Sequence, residues 1–371
     1  MRASEPIQLQ SGVTLKNRLV FAPISTMEDA PDGKVTNDEL SFFAQRTGDV
    51  GAIVIASAYV DQEGKSYGNN LSVSHDHYIE SLKELPRVIQ QNDTKIFLQL
   101  YHGGAMAEGQ VEHFKPVCVS QTSSRLTEGK EYRELTDSEI EQIILAYKEA
   151  TLRAIKAGFD GVEIHAANSY LPNQFLMPTW NLREDKWGGS LENRLRFLEV
   201  LIDQIKEVVA MNQVKPFALG VRISLEDAFL GTQEERDASF KEALGVLKML
   251  DDKGLDYLHI TSANALEKKE INGQKIELLR LLKRFTEKTP LVGCGNLLQS
   301  EEVEEALEFS DLVSACRPFV FTPDWAKKIQ QGELIELPTT GIDWQLRQKL
   351  NIPRNLWKGI ESSPDWYLYK F

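Results

Sequence analysis

The 371-residue chain is 42% apolar and carries a formal net charge of −13. Such a composition supplies a large core and excludes a disordered chain, while the acidic balance argues against nucleic acid or an anionic membrane as a partner, because both need clustered Lys and Arg. No apolar run approaches the roughly 20 residues of a membrane helix, the N-terminus has no signal-peptide core, and Cys118, Cys294 and Cys316 are too scattered for a disulfide framework, a zinc site or an iron–sulfur cluster, so the chain reads as a soluble cytoplasmic protein.

In chain order, the first element is a small hairpin over Ile7–Leu19, expected to cover the floor of whatever sheet follows. Eight strand candidates then alternate with helical segments. They are Arg18–Pro23, Gly51–Ala58, Lys95–His102, Gly161–Ala167, Phe217–Ser224, Tyr257–Ser262, Pro290–Gly295 and Leu312–Pro318. All are short and rich in Val, Ile and Leu, as strands buried on both faces are. The clearest helix starts at Thr136, where Thr136 and Glu139 have capping-box spacing, and stops at Gly158. Leu191–Met211 and Glu234–Lys253 have the same period. Eight β–α steps point to a single (β/α)8 TIM barrel. An open doubly wound sheet is the alternative, weakened by the lack of a GxGxxG after the first strand. The polar stretch Gly103–Tyr132 follows strand three, and loops of that length are usually functional. The barrel is expected over residues 1–340, with a C-terminal extension over 341–371. The extension's aromatic-rich sequence packs either on its own barrel or on a neighbouring subunit.

Active sites of such barrels lie at the C-terminal ends of the strands. Strand one ends in Ser25 and Thr26. Strand three carries Gln99 and ends in His102. Strand four runs into "VEIHAANSYLPNQFL", which brings His165, Asn168 and Tyr170 together within six residues. Two donors beside a phenol suit an oxygen that gains charge in a transition state next to a proton source. His-x-x-Asn is a poor metal motif, because no carboxylate or second imidazole is spaced to complete it. Arg222 stands in mid-strand between Val221 and Ile223; it either pairs with an acid such as Glu163 or faces an anionic ligand. The "GCGN" run with Gly295 and Asn296, a helix start near Ser300, and Arg317 after strand eight make a phosphate site. His75, His77, His113 and His259 read as incidental.

These residues resemble a known family. The run "VEIHAANSYLPNQFLMPTWNLREDKWGGSLENRLRF" (Val162–Phe197), together with "NRLVFAP", "FLQLYHGG", "GVRIS", "VGCGN" and "DLVSACRPF" in that order, is similar to the old yellow enzyme family of FMN-dependent ene-reductases. The resemblance spans about Pro6 to Trp325. It implies FMN as cofactor, NADH or NADPH as hydride donor, and an α,β-unsaturated carbonyl compound as substrate. It implies that His165 and Asn168 bind the substrate oxygen and that Tyr170 donates the proton. Gln99 and Arg222 would hold the flavin pyrimidine, Pro23, Ser25 and Ala56 would line the ring, and Gly295, Asn296 and Arg317 would hold the phosphate. Ser25 stands where related enzymes often have Cys or Thr; serine keeps a hydroxyl donor toward the flavin O4 but lacks thiol chemistry. A homo-oligomer is expected. Two other readings stand beside this one. One is a flavin-binding NAD(P)H oxidase or redox partner with little ene-reductase activity. The other is a non-flavin phosphate-binding barrel enzyme, which would want a Schiff-base lysine or paired carboxylates at the strand ends.

Overall fold

Eight parallel strands close into a barrel in sequential order. They are β1 (Leu19–Phe21), β2 (Ala52–Tyr59), β3 (Lys95–Tyr101), β4 (Gly161–Ala166), β5 (Ala218–Ser224), β6 (Tyr257–Thr261), β7 (Leu291–Cys294) and β8 (Leu312–Ala315), with β8 pairing back onto β1. The computed structural model describes residues 1–107, 115–121, 131–226, 232–271, 273–338 and 343–367. The strands are buried along almost their whole length, β2 at every position, because the barrel interior covers one face and the surrounding helices the other. The open-sheet alternative is thereby excluded.

Long helices supply that outer layer. In α1 (Asp137–Ala157) Thr136 and Glu139 form a reciprocal capping box, and Gly158 ends the helix at φ 92°. In α2 (Leu191–Asn212) Ser190 caps the first turn, and α3 (Gln233–Asp251) begins with a second box from Thr232 and Glu235. The N-terminal strands Ile7–Gln8 and Thr14–Leu15 pair antiparallel. Leu9, Val13 and Leu15 of this hairpin pack against Val20, Val54, Phe97 and Tyr257, closing the barrel floor. The opposite, C-terminal end of the strands stays open.

Strand eight is shorter than its sequence implies. It ends at Ala315, and Arg317–Phe321 is a short helix with Pro318 in its first turn, where a missing N–H costs nothing. Of the Gly103–Tyr132 stretch, Gly104–Met106 forms a 3-10 turn and Val117–Cys118 pairs with Arg133–Glu134; residues 108–114 and 122–130 lie outside the described residues, as do 339–342 at the expected domain boundary.

Part of the C-terminal segment, between Leu350 and Ile360, contributes to the barrel's own core. Leu350, Ile352, Leu356, Trp357 and Ile360 are buried in the main core. Arg46, itself 1% exposed, donates to the carbonyls of Phe42, Phe319, Val320 and Leu350. A buried cation is tolerable there because its donors are met. Among the described residues no helix is long and apolar enough to cross a membrane.

Candidate active site

The open end of the barrel holds a cavity of about 450 Å³, within the range of small-molecule sites. Pro23, Ser25, Ala56, Gln99, His165, Asn168, Tyr170, Arg222, Gly295, Asn296 and Arg317 all line it. They come from seven of the eight strands or strand ends, so only barrel closure brings them together.

At β4, the backbone turns sharply just past the strand. Asn168 and Ser169 both adopt left-handed φ values of 56°, a conformation that costs a non-glycine residue energy and persists only where neighbours enforce it. The enforcement is visible. The Asn168 amide donates to Ser224 Oγ at 3.0 Å, the Ser169 amide to Asn173 Oδ1 at 2.9 Å, and Gln174 Nε2 to the Ser169 carbonyl at 2.7 Å. Asn168 is left exposed at the cavity.

His165 is 3% exposed and its Nδ1 is buried without a hydrogen-bond partner. An unpaired polar atom at such depth is costly unless a ligand meets it. Burial first, then the nearby charges of Arg222 and His259, hold the imidazole well below its usual pKa, so His165 is neutral. Its ring stands edge-on to Tyr170 with centroids 4.8 Å apart. Burial raises the Tyr170 phenol to about 12, and its hydroxyl makes no hydrogen bond among the described residues. The neighbouring phenols are committed. Tyr101 donates to Asn70 and accepts from the Ser66 amide, and Tyr67 donates to Ser25. Tyr170 is thus the phenol with a proton to give.

Under the cavity lies a buried polar chain. Gln99 Nε2 donates to Glu163 Oε1 at 2.7 Å, Glu163 Oε2 meets His259 Nδ1 at 2.8 Å, and His259 Nε2 meets Ser314 Oγ at 2.8 Å. This corrects one sequence expectation and decides between two alternatives left open for Arg222. His259 is not incidental, since it links β4 to β8 through the barrel centre. Glu163 pairs with His259 rather than with Arg222. Arg222 Nε instead donates to Thr261 Oγ1 at 3.0 Å, and its guanidinium faces the cavity with no carboxylate partner among the described residues. Ser57, Cys294 and Ser314, which sequence reasoning did not single out, line the same cavity. Burial opposes ionisation of Cys294, but His259, Arg222 and Ser314 outweigh it and bring the thiol to about 7.

At β7 and β8 the chain forms a cradle. Gly295 sits at φ 132°, and a Cβ there would stand 2.6 Å from the Ser262 carbonyl oxygen, so glycine is required. Asn296 follows at φ 48°, and Arg317 Nη2 donates to Asn296 Oδ1 at 3.3 Å. No residue of the helix Ser300–Leu307 lines the cavity, and its start carries a reciprocal capping box between Gln299 and Glu302. His102 also stays out of the cavity, its Nδ1 accepting from the Gly104 amide. The bulge in β2, where the register shifts between Ile55 and Ala58, is what aims Ala56 and Ser57 inward.

Much of the run after Tyr170 is scaffolding. Gln174 bonds Gly103, Ser169 and Ala105. Asn181 Nδ2 holds the carbonyls of Phe175 and Trp187, Arg183 those of Val119 and Leu135, and Arg194 those of Leu176 and Gly189. Phe175 and Phe197 stack at 4.2 Å. These residues fix the floor on which the β4 turn stands.

The chemistry of this cavity fits FMN. His165, whose buried Nδ1 has no partner, and Arg222, whose guanidinium has no carboxylate partner among the described residues, line it, with an amide held by a carboxylate and a glycine-dependent cradle beside an arginine. No group of three or more metal-ligating side chains occurs among the described residues. The sequence matches the NADH:flavin oxidoreductase / NADH oxidase family over residues 4–336. It is 33% identical to the probable NADH-dependent flavin oxidoreductase YqiG of Bacillus subtilis (strain 168), over 99% of this chain and 97% of that protein. It is also 33% identical to the NADH:acrylate oxidoreductase of Vibrio harveyi, over 95% of this chain but only 35% of that much longer protein. The solved structure of morphinone reductase in complex with tetrahydroNAD superposes with a TM-score of 0.78 at 27% identity, covering 93% of this chain and 94% of that one. The chain belongs to the NADH:flavin oxidoreductase family of old yellow enzyme relatives and is an FMN-dependent NAD(P)H oxidoreductase.

Proposed function

We propose that the enzyme reduces the activated C=C bond of α,β-unsaturated carbonyl compounds. The observation that carries this reading is the β4 turn: a neutral His165 with a free buried nitrogen, an exposed Asn168 held in a left-handed turn, and a Tyr170 phenol with an uncommitted proton. FMN, when bound, supplies the hydride exchange that links NAD(P)H to the alkene. The residues of the chain do the rest. His165 and Asn168 donate hydrogen bonds to the carbonyl oxygen, where negative charge grows as the β-carbon is reduced. Tyr170 delivers a proton to the α-carbon. Arg222 and Gln99 would hold the pyrimidine edge of the flavin, where the Arg222 guanidinium would favour negative charge. Pro23, Ser25 and Ala56 line the ring, while Gly295, Asn296 and Arg317 hold the phosphate. The Vibrio harveyi relative is named for acrylate, a conjugated alkene with a carboxyl group, and this supports an activated alkene as the substrate class.

The test is an anaerobic absorbance experiment. NADH or NADPH should bleach the flavin band of the purified protein, and 2-cyclohexenone should restore it. A band that stays bleached until air enters would refute the ene-reductase reading and leave an NAD(P)H oxidase.

A further inference from the structure

One wall of the cavity has a hydrogen-bond chain behind it that no role above uses. Ser25 follows β1, Ser57 sits in the β2 bulge, and both line the cavity. Tyr67, in the loop after β2, lies behind them. Its hydroxyl donates to Ser25 Oγ at 3.1 Å, and Ser57 Oγ stands 3.3 Å from the same phenol oxygen. A phenol has one hydrogen. Because Tyr67 spends it on Ser25, Ser57 must be the donor in the other contact. The bonds therefore run in one direction, from Ser57 to Tyr67 to Ser25.

The Tyr67 ring is not free to break this chain. It stacks on Tyr101 at 6.4 Å with 13° between the planes, and the Tyr101 hydroxyl is itself held by Asn70 and the Ser66 amide. Burial, with the neighbouring Tyr170 second, keeps the Tyr67 phenol protonated far above neutral pH. Ser25 accepts from Tyr67, so its own hydrogen is left to donate elsewhere, and the cavity is where it faces. Hydrogen bonds in a directed chain polarise one another, which strengthens the terminal donor.

We propose that Tyr67 is a positioning residue: by donating to Ser25 it commits the Ser25 hydroxyl to donate into the cavity, at the carbonyl edge of the flavin ring, and thereby raises the flavin's reduction potential. The inference rests on the reading that Ser25 faces the isoalloxazine ring. A donor at a ring carbonyl binds the electron-rich reduced ring more tightly than the oxidised one, so strengthening it favours reduction.

The experiment is a double-mutant cycle read by the FMN midpoint potential and visible spectrum of the holoenzyme, using Tyr67→Phe, Ser25→Ala and both together. Phenylalanine keeps the stacking on Tyr101 and removes only the hydroxyl. Tyr67→Phe should lower the potential, Ser25→Ala should lower it at least as far, and the double variant should fall no further than Ser25→Ala. If Tyr67→Phe lowers the potential equally in the Ser25→Ala background, or not at all in the wild type, the relay is overturned while the placement of Ser25 stands. If Ser25→Ala leaves the potential unchanged, that placement fails and the relay fails with it. Should Tyr67→Phe not retain FMN, Ser57→Ala decides: it removes the first donor only, and should give a smaller shift in the same direction. No shift would overturn the chain.

Discussion

His259 and Glu163 meet at 2.8 Å inside the barrel, from β6 and β4, and both are fully buried. Burial opposes charge on each. For Glu163 the pairing with His259 wins and holds the carboxyl below its usual range; for His259 the pairing with Glu163 wins and holds the imidazole above its own. The pair is thus charged, and its carboxylate can only accept, which pins the Gln99 amide with Nε2 toward Glu163.

Glu163→Ala should destabilise the protein by about 3–5 kcal/mol, because it strands a buried charge; urea unfolding measures this. The lowered Glu163 contributes stability above the unfolded carboxylate value, and the raised His259 contributes it below the unfolded imidazole value. The stability difference between wild type and Glu163→Gln should therefore be greatest between about pH 4.3 and about pH 6.5. It should shrink as pH falls through the Glu163 titration or rises through that of His259. A difference that grows steadily toward alkaline pH would contradict the charged pair.

Tyr170→Phe should slow enone reduction by about 10²–10⁴-fold, with reduction by NAD(P)H left near the wild-type rate. Stopped-flow absorbance separates the two half-reactions. Burial keeps the wild-type phenol protonated until pH approaches 12 and keeps His165 neutral below its usual range. Enone turnover should accordingly show no inflection from either group between about pH 6 and about pH 9. A break near the ordinary histidine value would mean that His165 titrates in the working enzyme.

Removing either His165 or Asn168 should cost about 10²-fold in enone reduction, the usual loss for one donor at a developing oxyanion. The pair His165→Ala, Asn168→Ala should also abolish phenol binding. Retained phenol binding in a double variant that still holds FMN would remove the donor pair from the mechanism.

Gln174 does not line the cavity, yet three buried bonds tie the β4 turn at Ser169 to Gly103 and Ala105 after β3. Gln174→Ala strands the Ala105 amide and the Ser169 carbonyl, leaves the Gly103 carbonyl with the Met106 amide alone, and should cost about 3 kcal/mol. Because the left-handed pair Asn168–Ser169 loses one of its three braces, enone reduction should fall as well. Thermal unfolding beside a turnover assay checks both effects, and unchanged turnover would show that the turn holds itself.

The order of strands and the open end of the barrel were legible in the letters, because strands covered on both faces read as short apolar runs and polar residues gathered just past them. That is why His165, Asn168, Tyr170, Gln99, Arg222 and Arg317 could be named before any fold existed, and the tertiary structure sets all of them around one cavity. His259 could not be told apart from a satisfied core histidine. Its partner Glu163 is 96 residues away, and pairing at that separation leaves no local pattern. Tyr67 was equally silent, in the polar run "GKSYGNN". The end of β8 was overrun because Pro318, which reads as the close of a strand, starts a helix here.

Sequence alone determined the alternation of β and α, the capping of the helix between Thr136 and Gly158 and the residue types at the strand ends, since these depend on periodicity and on neighbours a few residues apart. Tertiary structure decided which buried groups are spent on one another and which remain for a ligand. Glu163 is consumed by Gln99 and His259, Tyr101 by Asn70, and Tyr67 by Ser25, while His165, Tyr170 and Arg222 keep capacity facing the cavity. A hydrogen-bond donor or charge is satisfied by geometry in three dimensions, and closing eight strands into a barrel is the step that supplies it.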